Sequence, residues 1–274
     1  MCAKLDSYLK SNNILCTNQF GFRKNFNTSD AIIEFLVYAY SSFDSKQSTA
    51  VYLNFSKALD TVNHNILMSK LLHNGVRGVM QHWFESNLIN RKQYVSIKNC
   101  NSSMSNITLS VPQCSVLGPV LFLLYINDMY RSSNQMHFVH FANDTTVFAS
   151  DSDIKNVHAT VNRELVGVDN WLKANRLSLN ISKTSKMIIT NQKNAIEIRI
   201  QDSILTKVST VKFLGVTLDE NLTFNDHVKN ITTIISKSVD VMRLHCLLPA
   251  DIMDKLYYSL VYSHLTSALQ ARGR

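Results

Sequence analysis

Two apolar, β-prone runs, His137 to Ala142 and Thr145 to Ala149, are separated only by Asn143-Asp144. So short a gap predicts an antiparallel hairpin with a tight turn at Asn143-Asp144. Ser48 to Phe55 (STAVYLNF) is apolar and β-branched, which reads as a buried strand. Helical spacing predicts helices over 30–42 (capped by Ser29), 65–72, 78–90, 118–130 and 154–175. A short helix is expected within residues 1–17. Strands are expected at 94–97 and 107–111, joined by the polar turn NCNSSMSN, and later around 179–181, 186–190, 196–200 and 211–218. The segment 224–269 reads as helical, with Pro249 at the first position of its second helix. The class is α+β, a small sheet with helices followed by a helical unit.

Composition removes several classes. The chain has 7 Gly and 3 Pro in 274 residues, where average usage gives about 19 and about 14. That excludes collagen-like, linker-like and Pro-rich chains. It also predicts that Asn, present 27 times, fills many positive-φ turns. No apolar run reaches the roughly 18 residues of a membrane span, and Met1 to Lys10 has no apolar core of a secretory signal. Five scattered Cys without CxxC spacing predict reduced thiols in an intracellular protein, nuclear or cytoplasmic. The net charge of +8 is compatible with a polyanion partner or with a solvated basic surface. His137 and His140 fall on opposite faces of their strand and are rejected as a metal pair.

Four segments carry candidate chemistry: Asn54 to Asp60 after the buried strand, Val111 to Pro119 leading into a helix, the hairpin tip Phe141 to Asp144, and Leu177 to Thr184 with the later Phe213-Leu214-Gly215. Singly, each has an ordinary reading as turn, loop or solvated lysine. In this order and spacing they resemble the reverse transcriptase domain of non-LTR (LINE-like, jockey-type) retrotransposons. NQFGFRK (18–24) is similar to the family's fingers motif, and VYLNFSKALDTVNHNILMSKL (51–71) to motif A. VPQCSVLGPVLFLLYINDM (111–129) resembles motif B, and HFVHFANDTTVF (137–148) motif C. NRLSLNISKTSKM (175–187) resembles motif D, VKFLGVTLDENLTF (211–224) the primer grip, and LYYSLVYSHLTSALQARGR (256–274) the thumb end.

The resemblance implies a right-hand polymerase fold, with an antiparallel palm sheet, partial fingers and a helical thumb. It implies partial fingers over 1–50, a palm over 51–218 with a fingers insert near 64–100, and a thumb-like region over 219–274. The first fingers strands and an endonuclease are expected to lie outside this sequence. The implied partners are an RNA template, a DNA primer or RNA–DNA hybrid, and a dNTP, with no membrane. The implied cofactor is Mg²⁺, held by three Asp as a two-ion clamp on the attacking and leaving oxygens.

At those three positions this chain has Asn54, Asn143 and Asp144. An Asn carbonyl is neutral and a weak Mg²⁺ ligand, and Asp60 does not take the place of Asn54 in the family pattern. Asp144 is thus the remaining metal carboxylate, Asn54 and Asn143 are degraded ligand positions, and loss of Mg²⁺ binding and turnover is expected. Leu59 replaces the aromatic that crowds the sugar, and Ser110 and Cys114 replace glycines. Lys24-Asn25-Phe26 replaces Lys-Gly-Arg, and Arg272 a Trp. Arg23, Lys57, Gln113, Ser115, Lys183 and the turn Phe213, Leu214, Gly215 are retained. By resemblance Lys183 is a catalytic proton-donor candidate. Arg23, Lys57, Leu59, Gln113 and Cys114 belong to the nucleotide and template surface, and Phe213 to Gly215 form the primer grip. Two Asp→Asn changes and one Gly→Ser are single G-to-A codon changes, the pattern of unselected decay. The alternative is a metal-independent RNA- or DNA-binding module retained from the polymerase cleft.

Overall fold

A computed structural model describes residues 2–43, 47–89, 91–98, 100–111, 115–189, 197–243 and 248–266. The chain opens with α1 (Cys2–Ser11) and α2 (Thr28–Phe43), then enters β1 (Gln47–Asn54). After α3 (His64–His73) and α4 (Val79–Leu88) come four short strands, β2 (Arg91–Gln93), β3 (Ser96–Ile97), β4 (Cys100–Asn101) and β5 (Ser105–Ile107). Next are α5 (Leu117–Ile126), a 3₁₀ turn at Met129–Ser132, β6 (His137–Phe141), β7 (Asp144–Asp151) and α6 (Ile154–Ala174). The remainder is β8 (Ser185–Ile189), β9 (Arg199–Ile200), β10 (Ser203–Ile204), β11 (Thr206–Lys207), β12 (Thr210–Phe213), β13 (Val216–Asp219), α7 (Asn225–Met242) and α8 (Ala250–Tyr257). A π turn, Tyr258–Tyr262, follows α8 directly.

The central sheet has the order β11-β8-β1-β7-β6. It is antiparallel except for the short parallel pair β11–β8. β1 is the middle strand, and residues 48–53 are buried throughout, so it reads as an apolar run instead of an alternating one. Its two faces serve two cores. Val51 and Leu53 join α1, α3, α4, α5 and α6 in the larger core. Ala50 and Tyr52 join α2 and the β12–β13 hairpin in the smaller one. α5 is apolar on all sides, and every residue from Leu121 to Ile126 is buried, as a helix lying inside a core must be. α2 leaves Ile33, Val37 and Tyr40 exposed on its outer face. No helix of the described residues is long and apolar enough to cross a membrane.

Several expectations change. The hairpin turn is Ala142-Asn143, one residue earlier than expected, because Phe141 pairs with Asp144, which starts β7. The α2 cap is Asn27, whose Oδ1 accepts from the Ser29 and Asp30 amides while Asp30 accepts from the Asn27 amide. In place of the one strand pair expected at 94–97 and 107–111, two short antiparallel ladders form, β2–β5 and β3–β4. Residues 179–181 form no strand; Leu179 makes a single bridge to Phe55. Pro249 is the N-cap of α8, one position earlier than expected.

The glycine shortage is also met differently. Among the described residues thirteen non-glycine residues have positive φ, and of these only Asn13 and Asn25 are Asn; Lys57, Ser110, Ala142 and Leu214 are among the others. Ser110 has φ 85° and Asn25 has φ 70°, so both keep a backbone suited to glycine. At Ser110 the conformation is imposed from both sides. Its amide donates to the Val62 carbonyl at 2.9 Å, and its carbonyl lies 2.7 Å from His64 Nε2.

Candidate functional site: the palm cleft

The register puts Asn54, the last residue of β1, directly opposite Asp144, the first residue of β7. Side chains alternate along a strand, so Asn54 and Tyr52 share a face, as do Asp144, Thr146 and Phe148. That face belongs to the smaller core, through Tyr52 and Phe148. At its open end lies a cleft of about 140 Å³. Asn54, Asp144 and Lys183 line it on one side, and Lys212, Phe213 and Leu214 close it on the other.

Each wall has a local cause. The Ser178–Thr184 loop is joined to the end of β1: the Asn180 amide donates to the Asn54 carbonyl at 2.7 Å and the Ser56 amide to Ser178 at 2.8 Å. The Asn54 amide donates to Thr184 Oγ1 at 3.3 Å. Those bonds bring Lys183 to the cleft although it lies far from Asn54 in sequence. On the opposite wall, Leu214 and Gly215 both have positive φ (48° and 93°) and form a two-residue turn between Phe213 and Val216. The Phe213 ring is buried 5.1 Å from the Phe35 ring, which anchors the hairpin to the smaller core.

The electrostatics are uneven. Asp144 reaches solvent at the cleft mouth, yet the protein packed beside it desolvates the carboxyl and raises its pKa above the usual value. Lys183 and Lys212 both line the same cleft. Among the described residues no group of three His, Cys, Asp or Glu could hold a metal ion. One carboxylate beside the Asn54 amide does not fit Mg²⁺, which favours several anionic oxygens in octahedral geometry.

The other sequence candidates separate into three groups. Asn143 lies in the hairpin turn, half-buried, and is not part of the cleft wall. Leu59 packs against the larger core, and Lys57 is exposed at φ 49° beyond the end of β1. The Arg23 guanidinium donates to the carbonyls of Cys16 and Gln19, at 2.8 and 3.0 Å, and lies 4.5 Å over the Phe26 ring. Gln113, Cys114 and Arg272 lie outside the described residues. His137 and His140 do occupy opposite faces. His137 stacks on Tyr38 at 4.8 Å, whereas His140 is buried with Nδ1 2.9 Å from Thr145 Oγ1. Sequence reading missed Lys212, Tyr52 and Thr146. Their strand alternation relative to Asn54 and Asp144 was the available signal for the last two.

Sequence comparison agrees with this geometry. The family described as reverse transcriptase (RNA-dependent DNA polymerase) matches residues 1–218. The chain belongs to the reverse transcriptase family. It is 28% identical over 244 residues to a probable RNA-directed DNA polymerase from transposon BS of Drosophila melanogaster, covering 84% of this chain and 26% of that protein. It is 27% identical over 271 residues to the RNA-directed DNA polymerase from mobile element jockey of Drosophila funebris, covering 93% and 29% respectively. This reverse transcriptase domain of the non-LTR type therefore spans about a quarter of the length of the curated relatives it matches. Among solved structures, it superposes on telomerase from Candida albicans with TM-score 0.55 and 12% identity, covering 80% of this chain and 37% of that one. Telomerase from Candida tropicalis gives TM-score 0.56 and 11% identity, covering 80% and 35%. At such identity the likeness concerns the fold, which is the right-hand polymerase fold.

Proposed function

We propose that this domain descends from an RNA-directed DNA polymerase and has itself lost nucleotidyl transfer. The observation that carries the reading is the Asn54–Asp144 pair, where an amide sits beside the remaining carboxylate on one wall of the cleft. In the family reaction a primer 3′-hydroxyl attacks a dNTP under the direction of an RNA template. Mg²⁺ would there stabilise charge on the reacting oxygens. Asn54 and Asn143 supply no negative charge for that purpose. Lys183, at the cleft wall, would hold or protonate the leaving pyrophosphate, and the Phe213 to Gly215 turn would support the primer end. Gln113 and Arg23 belong to the proposed template and nucleotide side. Within this reading 1–50 is partial fingers, 51–218 palm with a fingers insert near 64–100, and 219–274 thumb.

Primer extension on a homopolymer RNA template tests it, with Mg²⁺ or Mn²⁺ and with the double variant Asn54→Asp/Asn143→Asp beside the unmodified chain. The reading expects extension from the double variant alone. Robust extension by the unmodified chain overturns it.

A second reading is favoured by the two lysines, Lys183 and Lys212, that line the cleft together with one acidic residue, Asp144. A cleft with that balance suits phosphates without a metal, so the domain would hold RNA or an RNA–DNA hybrid. Its affinity should then fall steeply with added salt through counterion release. A flat salt response rejects this reading.

A further inference from the structure

The hairpin tip that carries positions 143 and 144 is not self-supporting. Its first turn residue, Ala142, has φ 56°, a conformation that L side chains avoid. Strained residues of this kind persist when their surroundings hold them. Ala142 is also buried, so its amide needs a partner. In a two-residue hairpin the ladder pairs Phe141 with Asp144, and the Ala142 amide points away from it.

The partner comes from 123 residues earlier in the chain. Gln19, 3% exposed, accepts the Ala142 amide on Oε1 at 3.1 Å, and the same oxygen accepts the Gly21 amide at 2.9 Å. Two backbone bonds hold the segment in place alongside β6. The Phe20 amide donates to the His140 carbonyl, and the His140 amide to the Asn18 carbonyl, both at 2.9 Å. Gly21 has no positive φ, yet a Cβ there would fall 2.1 Å from the Ala142 nitrogen and 2.8 Å from the Phe141 carbonyl carbon. Its lack of a side chain is what allows the approach. Three consecutive residues thus divide the work: Gln19 accepts, Phe20 anchors, and Gly21 makes room.

We propose that Gln19 is a positioning residue for the palm cleft, holding the Ala142-Asn143 turn so that Asp144 stays in register with Asn54. The amide bonding stands by itself; its value for metal placement rests on the polymerase reading above.

The test uses Gln19→Leu, which removes the acceptor, and Gln19→Glu, which keeps an acceptor oxygen. In the otherwise unmodified chain, Gln19→Leu should raise amide exchange at Ala142 about tenfold or more, as loss of one buried hydrogen bond predicts. Exchange at Val51, in the middle of β1, should not change, and Gln19→Glu should keep the protection. Unchanged exchange at Ala142, loss shared equally by Val51, or loss in both variants overturns the proposal. The second readout is Mn²⁺ affinity in the Asn54→Asp/Asn143→Asp background. Gln19→Leu should weaken it about tenfold and Gln19→Glu should restore it; equal affinity with and without Gln19→Leu overturns the positioning role. If that parent binds no Mn²⁺, the metal-loss reading fails, and amide exchange alone decides the role of Gln19.

Discussion

Asn54 and Asp144 are directly opposed, as the final cross-strand pair of β1 and β7. The pair is neutral–acidic, so it carries no like-charge repulsion. Asn54→Asp alone should therefore destabilise the metal-free domain, by about 0.5 kcal/mol. Added Mn²⁺ should then raise the melting temperature of that variant more than that of the unmodified chain, because binding to the folded state adds to its stability. Calorimetry at fixed ionic strength checks both signs. An identical Mn²⁺ response in the two proteins would contradict the assignment.

Ser110 occupies φ 85° because both its amide and its carbonyl are held. Ser110→Gly should relieve the strain and stabilise the domain by about 1 kcal/mol. That corresponds to roughly 2–4 °C in Tm for a chain of this size. Asn25→Gly should do less, since Asn tolerates the left-handed region well. A lower Tm for Ser110→Gly would be the adverse result.

Gly167 lies on α6 against the 3₁₀ turn, and a Cβ there would meet the Ser132 carbonyl oxygen at 2.2 Å. Gly167→Ala must push helix and turn apart. Urea unfolding should show a loss of about 2 kcal/mol, typical of overpacking. A change within error would mean that the turn yields freely.

His140 and His158 are both buried, and burial lowers each imidazole pKa to about 4. The His137 charge adds to the effect at His140, and Lys186 adds to it at His158. With folded values below the unfolded one, the unfolded chain binds more protons as pH falls from about 6.5 to about 4. Stability should thus be full above that window and fall through it, by on the order of 3 kcal/mol for His140. Among the described residues, neither ring nitrogen of His158 has a hydrogen-bond partner. His158→Leu should accordingly gain more stability at pH 4.5 than at pH 7, by urea unfolding. Equal effects at the two pH values would count against a buried neutral ring.

Local patterns were legible where periodicity is strong. β1, the β6–β7 hairpin, α6 and the class of the fold follow from apolar runs and their spacing. The hairpin turn was misplaced by one residue, because Asn-Asp is the better turn dipeptide while Ala142 needs outside support. The parallel strand β11 was missed, since two residues at a sheet edge carry no pattern. The loop contacts of Arg23, whose Nη1 donates to the Cys16 and Gln19 carbonyls, had no pattern in the sequence to announce them.

The sequence alone determined the donor groups at the three positions where the family pattern has metal carboxylates. Asn54, Asn143 and Asp144 are amides and a carboxylate in any conformation, so the donor chemistry was decided before folding. It also determined that glycine would be missing from turns, as Ser110 and Asn25 show. Tertiary structure decided which groups meet. The pairing of β1 with β7, the docking of the Ser178–Thr184 loop on Asn54, and the approach of Gly21 to Ala142 all join residues distant in sequence. The reason is physical. Composition and periodicity report how a residue relates to its near neighbours. Register, close approach and the partner of a buried amide are set by which surfaces must be buried together.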